Sequence, residues 1–283
     1  RIVDENVEAL PVDVDADIVG VCGMGVQFAR QRELLAHFRS RGHYAVAGGS
    51  FASLCPERYT DAADTVLAGE AERIWPQFCR DFSLGSPRAL YKEEAHVALS
   101  ESPVPRYDLL KLSRYSTVTM QFSRGCPYLC EFCDIIVMFG RKPRCKSPEQ
   151  IGRELDALRR LRVKSTFFVD DNFIGNRPLA KQLLRYLKEY QQRHRYAFQF
   201  GTEVSINVAR DRELMELLRA AIFACCDCVR VYTKQPHLKH ADMEKPFALK
   251  RGSTVVELAE LIHRDIADSL KSARIWRGQA HDA

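Results

Sequence analysis

The stretch "SRGCPYLCEFCDI", residues 123–135, decides the reading of this chain. It sets Cys126, Cys130 and Cys133 within eight residues, in the spacing CxxxCxxC. A free cysteine is commonly a small buried apolar residue, but three in one Gly- and Pro-containing loop point to a metal centre. Zinc sites usually recruit cysteines in CxxC pairs and complete the set with a distant pair. No fourth partner stands in this loop. An iron–sulfur cluster takes thiolates on separate irons, so three thiols on a four-iron cube leave one iron open. A structural zinc site is the alternative, with Cys145 or one of Cys225, Cys226 and Cys228 as its fourth ligand.

The flanks place this loop in an α/β frame. "TVTMQFS" just upstream reads as a strand, so the cysteines follow its carboxyl end, where α/β barrels carry their active sites. Downstream, "SPEQIGRELDALRRL" reads as a helix with Ser147 as N-cap, Pro148 at the first helical position and Gln150 completing a capping box. "STFFVDDN" is a strand, "RPLAKQLLRYLKEYQQRH" an amphipathic helix, "YAFQFGTEVS" a strand and "DRELMELLRAA" a helix capped by Asp211. This alternation predicts a parallel barrel or half-barrel. Asp170, Asp171 and Asn172 end its second strand and Glu203 its third, all on the active face. Carboxylates there suit a cationic ligand; an ordinary strand-to-helix turn is the plainer alternative.

Upstream, "DIVGVC", "YAVAGGS" and "DTVLAGEAE" read as three strands. A helix with Leu34, Leu35 and Phe38 on one side joins the first two, and Gly42 ends it. This is the rhythm of an open α/β sheet, which binds ligands at the carboxyl ends of its strands. Gly48 and Gly49 would allow close approach of a flat cofactor or its nucleotide tail, or simply make a tight turn. Residues 83–115, broken by Pro87, Pro103 and Pro105, read as a linker or wrapping segment. Beyond 222 the pattern breaks, and "FACCDCVRVYTKQPHLKH" shows no clear helix. "PFALKRGSTVVELAELIHRDIADSL" then reads as a strand, a Gly-Ser turn and a helix from about Thr254, a small α+β unit.

Composition narrows the classes. The net charge of +5 over 283 residues is spread thinly and gives no argument for nucleic acid. No run of eighteen apolar residues marks a membrane span. Ten cysteines without an export signal are expected to be cytosolic thiols, placing the protein in the cytoplasm. Cys22, Cys55 and Cys79 read as buried, inert thiols and Cys145 as a free one. The start at Arg1 rather than Met suggests a processed product or a fragment. No GxxxxGK[ST] phosphate loop occurs, so the chain is no GTPase.

CxxxCxΦC, with Phe132 before the last cysteine, resembles the signature of the radical S-adenosylmethionine (SAM) superfamily over residues 116–222. The resemblance implies that Cys126, Cys130 and Cys133 hold a 4Fe-4S cluster whose free iron chelates SAM. One electron, from a donor such as a flavodoxin or ferredoxin, then yields a 5′-deoxyadenosyl radical. Phe132 is expected beside the adenine, Asp170, Asp171 and Asn172 at the SAM ammonium, and Glu203 at its ribose or methionine part. Residues 1–82 resemble the later part of a cobalamin-binding domain, whose glycine pair Gly48 and Gly49 match. No DxHxxG motif is present, so the resemblance names no histidine for cobalt. The join between the two resembles the cobalamin-type group that includes hopanoid C-methylases, which implies methyl transfer to an unactivated carbon of a small-molecule or lipid substrate.

Residues 229–276 resemble the TGS domain that ends DRG-type GTP-binding proteins, with Lys250, Arg251, His263 and Arg264 as a modest basic face for RNA. The expected layout is therefore an α/β chain. A partial, Rossmann-like cobalamin-binding domain (1–82) and a linker (83–115) precede a truncated radical SAM (β/α) barrel (116–224) and a truncated, β-grasp, TGS-like segment (229–283). The rival function is a non-catalytic chimeric protein whose TGS-like end binds RNA or a GTPase-system partner.

Overall fold

The computed structural model describes residues 1–11, 13–225, 228–231, 247–250, 254–262 and 268, with backbone alone at 222–225, 228–231 and 247–250. The chain divides into two units, Arg1–Leu218 and Arg219–Ala283.

The first unit opens with β1 (Ile18–Cys22), α1 (Phe28–Ser40), β2 (Tyr44–Gly48), α2 (Ser50–Leu54), β3 (Thr65–Ala68), α3 (Ala71–Ser83) and β4 (Leu90–Lys92). The four strands are parallel and stand in chain order, with Ile18 opposite Tyr44, Val46 opposite Thr65 and Val66 opposite Leu90. Alternation along β2 sends Ala45 and Ala47 to one face, against Leu35, Ala52 and Tyr59. Val46 goes to the other, against Ile74, Phe78 and Tyr91. Burial on both faces explains the unbroken apolar run of β2. Each large side chain so buried stabilises the fold by about 1.5–3 kcal/mol.

Two features of this region escape the sequence patterns. Helix α3 runs through Pro76, which removes one helical hydrogen bond; the buried Ile74 and Phe78 on one side hold the helix nonetheless. Residues 83–115 also supply β4 to the sheet, and Tyr91, Val97, Leu99 and Tyr107 are buried. These apolar residues stand singly among polar ones, so no period announces them.

The unit continues with β5 (Val118–Met120), β6 (Ser123–Arg124), α4 (Ile135–Phe139), β7 (Arg144–Cys145), α5 (Pro148–Arg160), β8 (Ser165–Phe168), α6 (Arg177–Arg193), β9 (Gln199–Thr202) and the start of α7 (Arg212–Cys225), within which the division at Leu218 falls. Strands β5, β8 and β9 form a second parallel sheet in that order, Val118 facing Thr166 and Thr166 facing Phe200. Met120, Phe122, Phe168, Phe173 and Phe198 are buried in this half. The helix starts follow their caps. Ser147 Oγ accepts from Gln150 N–H at 3.2 Å and Gln150 Oε1 from Ser147 N–H at 3.0 Å. Asp211 Oδ1 accepts from Leu214 N–H at 3.1 Å. Beneath the sheet edge, Lys146 Nζ meets Glu154 at 2.6 Å with both side chains buried, and Tyr107 donates to the same carboxylate at 3.3 Å.

In the second unit, β10 (Cys228–Val231) and β11 (Phe247–Lys250) pair antiparallel, Cys228 opposite Lys250. α8 (Val255–Ile262) follows, started by a reciprocal Thr254–Glu257 cap. The strand and the helix stand where the sequence placed them, and the Gly-Ser turn lies outside the described residues. The expectation of no helix in "FACCDC" is corrected at its start, because α7 runs to Cys225. Cys226, Arg251, His263 and Arg264 lie outside the described residues. Among the described residues no helix is long and apolar enough to cross a membrane.

Candidate functional site

The cysteine loop hangs from a closed neck. β6 and β7 pair antiparallel, Ser123 opposite Cys145 and Arg124 opposite Arg144, so residues 125–143 leave and re-enter the body at one point. Cys126 N–H donates to Gly140 O at 3.3 Å, which closes the base further. Gly125 has φ +94°, and a Cβ there would lie 2.9 Å from Gly140 O and 3.0 Å from Phe139 O. No other residue fits that position without moving the neck.

Second-sheet residues hold the loop's leading edge by its main chain. Asp170 is buried, and its Oδ1 accepts from Phe122 N–H at 3.0 Å and from Ser123 N–H. Asp171 Oδ2 accepts from Gly125 N–H at 2.7 Å. Asn172 Oδ1 caps Ile174 N–H at 3.3 Å, while its Nδ2 lies 3.4 Å from Ser205 Oγ and 4.0 Å from Cys126 Sγ. Asn207 Nδ2 donates to the Tyr128 hydroxyl, tying the loop to the turn after β9. Burial pushes Asp170 up to about 6, against the pull of the Ser123 and Phe122 hydrogen bonds. Burial likewise raises Asp171, opposed by Gly125 N–H and by the charges of Arg124 and Arg144.

The thiols differ in exposure. Cys126 is buried, Cys133 half-buried and Cys130 exposed. Phe132 beside them is 90 % exposed, with Leu129 and Val137 also open. Glu203 directly follows β9 and is exposed. Among the described residues, no three His, Cys, Asp or Glu side chains converge as the ligands of a single metal ion must. Three soft sulfurs on one pinned loop are the donor type that an iron–sulfur cluster takes, and exposed apolar side chains stand on the same loop. Cys145 stands at the neck opposite Ser123 rather than in the loop, and burial pushes its thiol up to about 12, with Asp170 adding to the rise.

On the other side of the neck lies a cavity of about 840 Å³. Its floor is the carboxyl edge of the first sheet, at Gly49, Ser53, Gly69 and Glu70. Arg124 and Met138 from the loop region close it, and Trp75 lines one wall. No histidine is among its lining residues. Gly49, at φ +94°, has Gly23 O and N within 2.8 Å of where a Cβ would stand, and Gly48 backs onto Cys22 Sγ. The glycine pair thus lets two strand-end loops of the protein approach each other, with Gly49 also bordering the cavity. Gly49 and Gly69 put main chain at the cavity's edge, where a flat, bulky ligand could approach closely.

Sequence reasoning missed the charged cluster between cavity and loop. Glu70 accepts from Arg124 Nη1 at 2.8 Å, from Arg144 Nη1 at 2.9 Å and from Val97 N–H at 2.8 Å. Burial pushes Glu70 up, but Arg124, Val97 N–H and Arg144 outweigh it and hold the carboxyl below its usual range. Glu72 takes the second arm of Arg124 at 2.8 Å. A strand ending in Gly and an acid, "AGE", was the available signal. The remaining cysteines correct an expectation: Cys22 is exposed and Cys55 and Cys79 half-buried, so none is fully buried. Cys22 ends β1 and Cys55 follows α2, while Cys79 lies within α3 and packs at the margin of the core around Phe78. The Cys22 and Cys79 thiols are still enclosed enough for burial to raise them, which keeps both protonated.

Comparison with known proteins follows this geometry. A family model described as the Radical SAM superfamily matches residues 120–262, half of the chain. The uncharacterized methyltransferase sll1242 of Synechocystis sp. is 38% identical over 266 residues, covering 93% of this chain and 49% of that protein. The hopanoid C-2 methylase of Rhodopseudomonas palustris is 36% identical over 243 residues, covering 83% and 46%. Among solved structures, the radical S-adenosylmethionine methyltransferase TsrM from Kitasatospora setae superposes with a TM-score of 0.62 at 16% identity, over 74% of this chain and 47% of that one. The chain spans about half the length of the curated relatives it matches.

Proposed function

Because the chain belongs to the radical SAM superfamily, we propose that Cys126, Cys130 and Cys133 are the ligands of a 4Fe-4S cluster and that SAM binds at its fourth iron. We further propose that the 840 Å³ cavity takes a cobalamin, and that the whole protein methylates an unactivated carbon of a small-molecule or lipid substrate. The observation that carries this reading is the juxtaposition at the neck: one loop bears the three thiols, and its Arg124 and Met138 line a cavity at the strand ends of the first sheet. The methylase names of the relatives at 38% and 36% identity support methyl transfer as the reaction class.

When bound, the cluster supplies the electron that cleaves SAM, and the cobalamin carries the methyl group. The chain's own residues bind and orient. Asp170 and Asp171 fix the loop's path through Phe122, Ser123 and Gly125 N–H groups. Phe132 and Leu129, both exposed on the loop, are the side chains we assign to cover a nucleoside and exclude water. Asn172 and Glu203, at the ends of β8 and β9, are the polar groups we assign to the rest of SAM. With their main-chain bonds made, Asp170 and Asp171 act on it through charge and through the loop they hold. A flavodoxin- or ferredoxin-like electron donor is part of this proposal.

Anaerobic reconstitution with iron and sulfide should load about four irons per chain, and the loaded chain should form 5′-deoxyadenosine from SAM. Cys130→Ala should abolish both. Retained loading in that variant, or zinc in place of iron in the isolated protein, would remove the assignment. For residues 229–283 we propose a TGS-like fold, supported by the order β11, α8. RNA binding that weakens steeply with salt would extend that proposal to a partner.

A further inference from the structure

The β6–β7 neck places two arginines directly opposite each other, Arg124 and Arg144. Like charges facing across a ribbon repel, and both side chains are only 17% exposed. One carboxylate resolves this. Glu70, 6% exposed, stands between the two guanidinium groups and bonds both, while its Oε2 also accepts from Val97 N–H. Arg124 has Glu72 as a second partner. Among the described residues, Arg144 makes its ion pair with Glu70. Glu70 belongs to neither the loop nor its sheet: it follows β3 and borders the cavity.

We propose that Glu70 is a positioning residue. It clamps the neck shut by neutralising the facing arginines, and thereby sets the cysteine loop in register with the cavity of the first sheet. Without its charge, two poorly solvated guanidinium groups face each other with Glu72 paired to Arg124 alone and only the longer-range charge of Asp171 acting on both, and the neck is the part that yields. Asp170 and Asp171 still hold the opposite edge of the loop, so the thiols stay together while the loop loses its fixed relation to the cavity. The inference takes the loop's purpose from the reading above, but the clamp itself can be measured without any cofactor.

Hydrogen exchange of the metal-free chain tests the clamp. In Glu70→Gln, peptides covering 123–146 should exchange roughly 100-fold faster, as expected for losing one partner of a buried ion pair. Peptides covering 165–175 should keep their wild-type rates. Glu101→Gln, which removes an exposed carboxylate from Arg73 nearby, should leave 123–146 unchanged. Glu70→Gln/Arg144→Met, which also removes the opposed charge, should return 123–146 towards wild type. In the iron-reconstituted chain, Glu70→Gln should keep its iron while the EPR signal of the reduced cluster broadens. Unchanged exchange at 123–146, or uniform acceleration across the chain, would overturn the proposal. Should Glu70→Gln not fold, a double variant that folds with a closed neck supports the clamp, and one that also fails overturns it. A wild-type chain that takes up no iron would end the cluster reading and leave the exchange result standing.

Discussion

Asp170 gives the site a pH signature that a single substitution should erase. Its carboxyl is 9% exposed, and burial pushes it up to about 6 from an ordinary 3.8. Between those two values the unfolded chain has released this proton while the folded chain still holds it. The contribution of Asp170 to stability is therefore full below pH 3.8 and is lost as pH rises through about 6. A rise of about two units is worth about 3 kcal/mol at neutral pH, of which about 2 kcal/mol develops between pH 4 and 7. In Asp170→Asn the amide oxygen can still accept from Phe122 and Ser123 N–H, and any cost of burying the NH₂ group is independent of pH. Urea unfolding of the metal-free wild type and variant, followed by circular dichroism at pH 4, 5.5 and 7, isolates the difference. The variant should gain about 2 kcal/mol on wild type across that range. Parallel profiles, or a gain in the opposite direction, would refute the assignment of a proton held by burial at this carboxyl.

Three further outcomes follow from the geometry. Glu154→Gln should cost roughly 3–5 kcal/mol in urea unfolding by leaving Lys146 buried without its counter-charge, and Glu154→Gln/Lys146→Met should recover most of it. Gly125→Ala should destabilise the metal-free chain by roughly 1–2 kcal/mol from its backbone conformation alone, with a further cost from Gly140 O. Its iron loading should fall with the neck displaced, as iron analysis after reconstitution would show. Cys145→Ser should leave iron per chain unchanged, because Cys145 stands on β7 at the neck, outside the loop that carries the three thiols; a loss matching that of Cys133→Ser would make Cys145 a ligand.

The parts of the fold that read clearly from sequence are those with local signals. Ser147 and Gln150 announced the start of α5, Asp211 that of α7 and Thr254 that of α8. The strand–helix alternation of 116–222 gave the parallel sheet β5-β8-β9. Elements held by distant partners were silent. β4 exists because Leu90–Lys92 finds the edge of β3, and nothing within those three residues says so. At the site, the cysteine spacing was legible because chemistry fixes it within one loop. The role of Asp170 and Asp171 was not, since a carboxylate at a strand end looks the same whether it awaits a ligand or a main-chain N–H. Glu70 was least visible, because its partners Arg124 and Arg144 are 54 and 74 residues away.

The grip of Asp170 and Asp171 on Phe122, Ser123 and Gly125 is made through backbone nitrogen. A hold of this kind is blind to the side chains it holds. At Ser123, 1% exposed, a small side chain such as alanine is therefore tolerated, and proline, which lacks the N–H, is barred by the acids themselves. Part of the constraint on this entrance thus sits in the turn after β8 rather than in the residues that form it. Ser123→Ala should keep the iron loading of the wild-type chain, whereas Asp170→Ala/Asp171→Ala should lower it.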